Sequence, residues 1–349
     1  MARDIAFAIP GDINQPTGGY GYARAVIAEA TALGARFDVV GLPDGFPFPD
    51  EAVLTKTERL LERVRRDQPI LFDGLAFGAL PADMIRRLAR PWVALCHHPL
   101  ALETGLEATT AERLKRSETA ALAEARAVIV TSAATADLVV KEFGVRRDRV
   151  TIAPPGVARR PRARRGGGPP ILLAVGSLVP RKGYDLLIPA LAQIKDRDWR
   201  CSIVGALDRD PATVEAVRAG IRSAGLTARV ELTGALLDRD LDQAYAAADF
   251  FVHPAYFEGY GMAVADALAA GLPVIGAAAA ATVALVPSNA GLLFPVGDAD
   301  ALAAALATAL DNPARAAELA EGAWTAGLSL PDWPRTTAAI LAACQGATA

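Results

Sequence analysis

Cysteine and histidine are scarce, with three of each in 349 residues. Cys96, Cys201 and Cys344 are odd in number and far apart, which excludes a disulfide framework and a cysteine-built zinc cluster. A reducing compartment, the cytoplasm, is the expected home. An excess of either charge is also missing. Lys and Arg number 36 against 39 Asp and Glu, a net of −3, so bulk charge supports neither a nucleic-acid partner nor a strongly anionic surface. No stretch approaches the ~18 apolar residues without a charge or breaker that a membrane helix needs. The apolar run near the start, around Ile5 to Ile9, is too short for a signal peptide and reads as a first strand. At most a peripheral contact with the inner membrane face is expected. What the chain does have is length, enough for two domains at roughly 150 residues each.

Short apolar runs alternate with longer helical patterns throughout, the signature of βαβ units and parallel sheets. Strands are predicted over residues 5–9, 37–42, 70–72, 92–97, 128–131 and 150–153. After a break the pattern restarts with 171–175, 201–204, 230–233, 249–253, 274–276 and 292–294. The break, running Arg-Pro-Arg-Ala-Arg-Arg-Gly-Gly-Gly-Pro-Pro to Pro170, cannot form a core element and reads as a linker. Domains of 1–157 and 170–330 follow, joined by 158–169, with the linker arginines expected to be solvated. Helices are predicted over 22–33, 299–310, 313–326 and 333–344.

Three stretches carry possible chemistry. The first leads from His253 through Glu258-Gly259-Tyr260-Gly261 into a helix opening at Met262 and closed by Gly271 and Pro273. Glycines there let backbone N–H groups approach a ligand, and the unpaired amides of a helix start attract phosphate. Glu258 would stand beside that anion and could accept hydrogen bonds from sugar hydroxyls. Asp266 is the one charged residue of the following helix and could face the same ligand. A plainer reading also stands, since glycine turns before helices are common and an acid near a helix start complements its dipole.

In the second stretch, Arg181 and Lys182 precede a helix start. Two cations beside positive amides are unfavourable without an anion, and a diphosphate would supply one; a solvated basic pair is the alternative. The third is His97-His98-Pro99 at the end of a predicted strand, the edge where α/β sites form. Near the N-terminus, Thr17-Gly18-Gly19-Tyr20-Gly21 separates the first strand from a helix. That glycine pair can cradle an anion or admit close approach of another domain, but it is no full G-x-G-x-x-G, and Asp38 makes a poor ribose acid. A nicotinamide cofactor is therefore not expected.

The string from Glu258 to Val274 resembles the E-G-[FY]-G-x-x-x-x-E-A-x-x-x-G-x-P-V segment of the retaining GT-B glycosyltransferases of family 4. Gly176 to Leu187 resembles that family's G-[RS]-L-x-x-x-K-G-x-D-x-L-[IL] motif. The resemblance spans most of the chain and is strongest between residues 171 and 295. It implies two Rossmann-like doubly wound domains facing across a cleft, with a final helix, about 331–349, packing back on the first. It implies a nucleotide-sugar donor, UDP-sugar by preference or GDP-sugar, gripped by the C-terminal domain, and an acceptor of unknown kind bound by the N-terminal one: glycan, lipid-linked or small molecule. Catalytic roles fall on His97, Glu258 and Lys182. Donor contacts fall on Gly18, Gly19, Arg181, Lys182, Glu258, Gly259, Tyr260, Gly261 and Met262, with Asp266 on the ribose. No metal or other cofactor is implied.

This chain departs from the family's usual residues: Asp266 stands for glutamate, Ser177 stands where many relatives have arginine, and Gly276 opens an alanine run instead of a Gly-Gly-x-x-E loop. His253 replaces a nonpolar residue and reads as structural. An inactive sugar-nucleotide-binding protein, or a non-transferase GT-B enzyme such as an epimerase, remains as an alternative.

Overall fold

Ile5, Phe7 and Ile9 point to one side of the first strand and Ala6 and Ala8 to the other, and all five are buried. Such a strand must be covered on both faces, as in a parallel sheet clothed by helices. The computed structural model describes residues 3–15, 17–103, 105–163 and 167–348. These divide into two units, one holding the residues up to Gly156 with those from Pro331 onward, the other Val157–Leu330.

The first unit runs β1 (Arg3–Pro10), α1 (Gly18–Ala30), β2 (Ala35–Leu42), α2 (Glu51–Glu62), β3 (Ile70–Asp73), α3 (Gly74–Phe77), α4 (Ala82–Leu88), β4 (Trp92–Cys96), α5 (Ala108–Glu124), β5 (Ala127–Val130), α6 (Ala133–Phe143) and β6 (Val150–Ile152). Its sheet is parallel, in the order β2-β1-β3-β4-β5-β6. Strand order reverses between β1 and β3, the kind of position at which open α/β sheets bind ligands. Helix α1 begins at Gly18 and not at residue 22. Thr17 caps it by accepting the Tyr20 N–H, so both glycines sit in its first turn.

The second unit runs β7 (Ile171–Val175), α7 (Tyr184–Gln193), β8 (Arg200–Val204), α8 (Pro211–Ser223), β9 (Val230–Gly234), α9 (Asp238–Ala247), β10 (Phe250–His253), α10 (Met262–Ala269), β11 (Val274–Ala277), α11 (Ala280–Leu285), β12 (Gly291–Phe294), α12 (Ala299–Asp311) and α13 (Pro313–Leu328). Its parallel order is β12-β11-β10-β7-β8-β9. The reversal falls between β7 and β10, so the two strands whose following loops carry the sequence motifs are neighbours.

The last helix, α14 (Trp333–Gly346), belongs to the first unit. Asp332 caps it by accepting the Arg335 N–H at 3.0 Å, and Ile340, Leu341 and Cys344 pack beside Ile5, Phe7 and Ile9. Trp333 meets the Tyr22 ring edge-on at 5.5 Å, and Arg126 donates to the Ala347 carbonyl at 2.6 Å. All three cysteines are buried and free.

The linker segment differs from its expected solvated state. The Ala163 N–H donates to the Ala270 carbonyl at 2.8 Å, and the Arg160 side chain is only 12% exposed. Two carboxylates, Asp242 and Asp266, face its guanidinium. Arg164, Arg165 and Gly166, within the predicted linker, lie outside the described residues. No helix among the described residues is long and apolar enough to cross a membrane.

Candidate active site

The topological reversal in the second unit brings two loops together. After β7 the chain passes Gly176, makes a tight turn over Pro180–Lys182 and enters α7 from Gly183. After β10 it passes Pro254 and Glu258 and enters α10 from Gly261. Gly183 is where the two loops touch. Its φ is +71°, and a Cβ there would lie 2.1 Å from the Pro254 carbonyl oxygen, so only glycine fits. The Tyr256 N–H donates to the Arg181 carbonyl at 2.9 Å, and the Arg181 guanidinium donates to the Phe257 carbonyl at 2.8 Å. Main-chain contacts therefore fix the cationic turn against the acidic loop.

At their meeting point Glu258 is 10% exposed at its side chain. One oxygen, Oε1, receives the Lys182 ammonium as a direct ion pair, lies 3.5 Å from Arg181 Nη1 and 3.6 Å from His253 Nε2. Burial alone would raise this carboxyl, but the facing Lys182, His253 and Arg181 outweigh it and hold the group down at about 2. Burial drives His253 the other way, to about 4, with Glu258 opposing and the two cations assisting. The imidazole is thus neutral near pH 7, and Lys182 and Arg181 are the counter-charges of the ionised acid. The sequence called for an anion beside this cation pair, and Glu258 is one.

Helices α7 and α10 both start from a glycine with positive φ and neither has a side-chain cap. The first amides of α10, beginning at Met262, follow directly on Glu258-Gly259-Tyr260-Gly261. Anions bind such uncapped N–H groups. The Tyr260 ring is buried, and its hydroxyl finds no hydrogen-bond partner among the described residues.

Asp266, one turn into α10, is already engaged. Arg160 Nη2 lies 3.3 Å from Asp266 Oδ2, a second nitrogen pairs with Asp242, and the guanidinium stands 4.9 Å above the Tyr245 ring. Burial pushes the Asp266 carboxyl up and Arg160 pulls it back. Asp266 therefore does not sit beside Lys182 and Glu258 as an unpaired acid; it belongs to a separate cluster with the linker's own arginine.

In the first unit, β4 delivers His97 next to the start of α1. A Cβ on Gly19 would touch the imidazole at 3.6 Å. The ring meets Tyr22 edge-on at 5.0 Å, and Nε2 is 3.8 Å from Asp73 Oδ2, with no hydrogen-bond partner among the described residues. Burial lowers the His97 pKa against the opposing pull of Asp73. His98 turns elsewhere, its Nε2 lying 3.8 Å from Glu103. The turn after these histidines is pinned by Glu118 of α5, which accepts the Leu100 N–H at 2.9 Å. Burial raises that carboxyl to about 8 despite the backbone bonds.

Two side chains at these clusters escaped the sequence reading. His253 reads as structural from the sequence because it replaces a nonpolar residue of the family pattern, and the structure places its Nε2 3.6 Å from Glu258. Arg160 read as solvated because its partners, Asp242 and Asp266, are distant in sequence. The only sequence signal for Arg160 was a lone acid in an apolar helix, which needs a cation somewhere.

Residues 158–324 match the family model "Glycosyl transferases group 1" and residues 21–159 match "Glycosyltransferase Family 4". Mannosylfructose-phosphate synthase of Agrobacterium fabrum is 30% identical over 166 residues, 42% of this chain and 37% of that protein. The chain thus spans well under half the length of that relative. The MMP alpha-(1->4)-mannosyltransferase of Mycolicibacterium hassiacum is 24% identical over 87% of this chain and 77% of its own. Among solved structures, sucrose-phosphate synthase from Thermosynechococcus elongatus matches with a TM-score of 0.83 at 22% identity, covering 97% of this chain and 98% of that one. Anabaena HepE, in complex with UDP and glucose, matches with a TM-score of 0.76 at 20% identity, covering 98% and 99%. At such identities these structures attest the GT-B fold.

Proposed function

Because this chain belongs to the glycosyltransferases of family 4, we propose that it moves a sugar from a nucleotide-sugar donor to an acceptor hydroxyl with retention of anomeric configuration. The observation that carries the reading is the convergence of Lys182, Arg181 and Glu258 at the β7–β10 reversal. The acid pairs with both cations. A donor's diphosphate would claim Lys182, Arg181 and the uncapped amides of α10, and release Glu258 to accept hydrogen bonds from the sugar hydroxyls. Gly259, Tyr260, Gly261 and Met262 line that approach. Asp266 reaches the ribose in this reading only if it shares its carboxylate with Arg160.

The chemistry asks for stabilisation of charge more than for a nucleophile. The bond from the anomeric carbon to the diphosphate breaks, positive charge builds on the ring, and the acceptor oxygen bonds to the same face. The acceptor's proton passes to the leaving diphosphate. Pre-aimed cations and amides are the effective catalysts of such a step. From the first unit we assign His97, with Gly18 and Gly19, to the sugar, and the remaining loops to the acceptor. UDP-sugar is our preferred donor, a choice supported by the UDP bound to HepE, with GDP-sugar second. We expect turnover without a divalent ion; loss in EDTA that Mg²⁺ or Mn²⁺ restores would sink that part.

The engaged state of Asp266 favours one other reading, a protein that binds sugar nucleotides without transferring them. Incubation with labelled UDP- and GDP-sugars separates the two. Slow donor hydrolysis or transfer, lost in Lys182→Ala, supports the enzyme. Thermal stabilisation by the donors without turnover supports the binder, and neither response would end both.

A further inference from the structure

Among the described residues, the basic groups nearest Glu258 gather on one oxygen. Lys182, Arg181 and His253 converge on Oε1, and the first two are the cations a diphosphate would take. Their departure would leave a buried carboxylate without a counter-charge, which is strongly unfavourable unless another group hydrogen-bonds it. We propose that His253 is the positioning residue that keeps Glu258 aimed at the sugar once the diphosphate has drawn Lys182 and Arg181 away. The inference rests on the transferase reading above.

His253 is placed for this task. It ends β10, is 3% exposed, and its ring lies nearly parallel to Phe251, with centroids 6.1 Å apart and planes at 18°. Packing of that kind leaves the ring little freedom to turn aside. Its Nε2 is buried and has no hydrogen-bond partner among the described residues. At 3.6 Å from Oε1 it stands just beyond hydrogen-bond range, so a shift of about half an ångström closes the gap. Glu258, Lys182 and Arg181 are the charged groups that act on it. A neutral imidazole with its proton on Nε2 can hold a carboxylate without competing for it as a third cation would. The same neutrality means that His253 does not itself recruit the phosphates. Its effect belongs on turnover and not on nucleotide affinity.

The test compares His253→Phe and His253→Gln with the full-length wild type, reading UDP affinity by calorimetry and kcat with the active sugar nucleotide. His253→Phe keeps the ring and loses the donor; it should bind UDP within about twofold of wild type and lose about tenfold to a hundredfold in kcat, the range for a hydrogen bond to a charged group. His253→Gln puts an amide N–H near the place of Nε2 and should recover several-fold over the Phe variant. In a Glu258→Gln background, adding His253→Phe should change kcat no further. An unchanged kcat in His253→Phe, no recovery by Gln, or an equal loss in the Glu258→Gln background overturns the proposal. Should His253→Phe not fold, His253→Asn, whose amide is too short to reach Oε1, is read in its place with the same two outcomes. A wild type that turns over no UDP- or GDP-sugar overturns the transferase reading and this inference with it. An active wild type with a silent His253 overturns the inference alone.

Discussion

Glu258 and Asp266 lie eight positions apart in the chain and have different neighbours. Glu258 faces two cations and a neutral histidine after β7 and β10, whereas Asp266 pairs with Arg160, which also holds Asp242 and stands over the Tyr245 ring. Different consequences follow for their partners. Lys182→Ala removes the closest counter-charge and should lower kcat about 10²- to 10³-fold, the usual loss when one pre-aimed group of a charge-stabilising site is deleted. Initial rates at saturating donor read it, and a loss under about threefold would move the site elsewhere. Arg160→Met leaves Asp266 buried without its cation and should cost about 2–4 kcal/mol in urea unfolding of the second unit, less than a fully enclosed pair because Asp266 is 22% exposed. A change below about 0.5 kcal/mol would mean the arginine is idle. Glu258 and Lys182 were legible because glycines mark the loops that carry them. Arg160 was not, since a run of arginines and prolines looks like solvent-facing chain until the sheet order shows what lies beside it.

At the scale of elements, strand positions were readable to within a residue or two because both-sided burial demands unbroken apolar runs. The helix starts at Met262, Ala299, Pro313 and Trp333 fall where the sequence placed them, and the first helix is the exception. Glycines at 18 and 19 suggested a loop, yet Thr17 supplies the cap and the helix takes them in. Helix α5 hides an acid that no periodicity would reveal. Glu118 is 1% exposed, supports the turn after His97-His98, and has its carboxyl raised by burial to about 8 from an ordinary 4.5. The folded chain therefore binds this proton more firmly than the unfolded one. Its stabilising effect is complete below about pH 4.5 and is lost as pH climbs through 8. Urea unfolding of the wild type should weaken across that window, and Glu118→Gln should flatten the slope. Parallel pH profiles for the two proteins would show that Glu118 does not titrate there.

For the molecule as a whole, the notable feature is that the first unit is discontinuous: its sheet is made before the second unit begins, and a helix that shares with α1 the cover of one face of that sheet comes after the second unit ends. Ile340, Leu341 and Cys344 sit on the face formed by Ile5, Phe7 and Ile9, and each buried aliphatic of this size contributes roughly 1.5–3 kcal/mol. Removing residues 331–349 should strip protection from β1 to β6 in hydrogen exchange, while the second unit still binds UDP. Native protection of those strands in the shortened chain would mean α14 is dispensable. The two-domain plan was legible from the repeat of the strand pattern; the return of α14 came only from the family resemblance, since its own sequence says helix and not which sheet it covers. During synthesis on the ribosome, the second unit is finished while the unit that precedes it still waits for its last helix. The nascent chain must carry a sheet with part of one apolar face uncovered through the making of an entire second domain, so chaperone demand should be greatest at that stage.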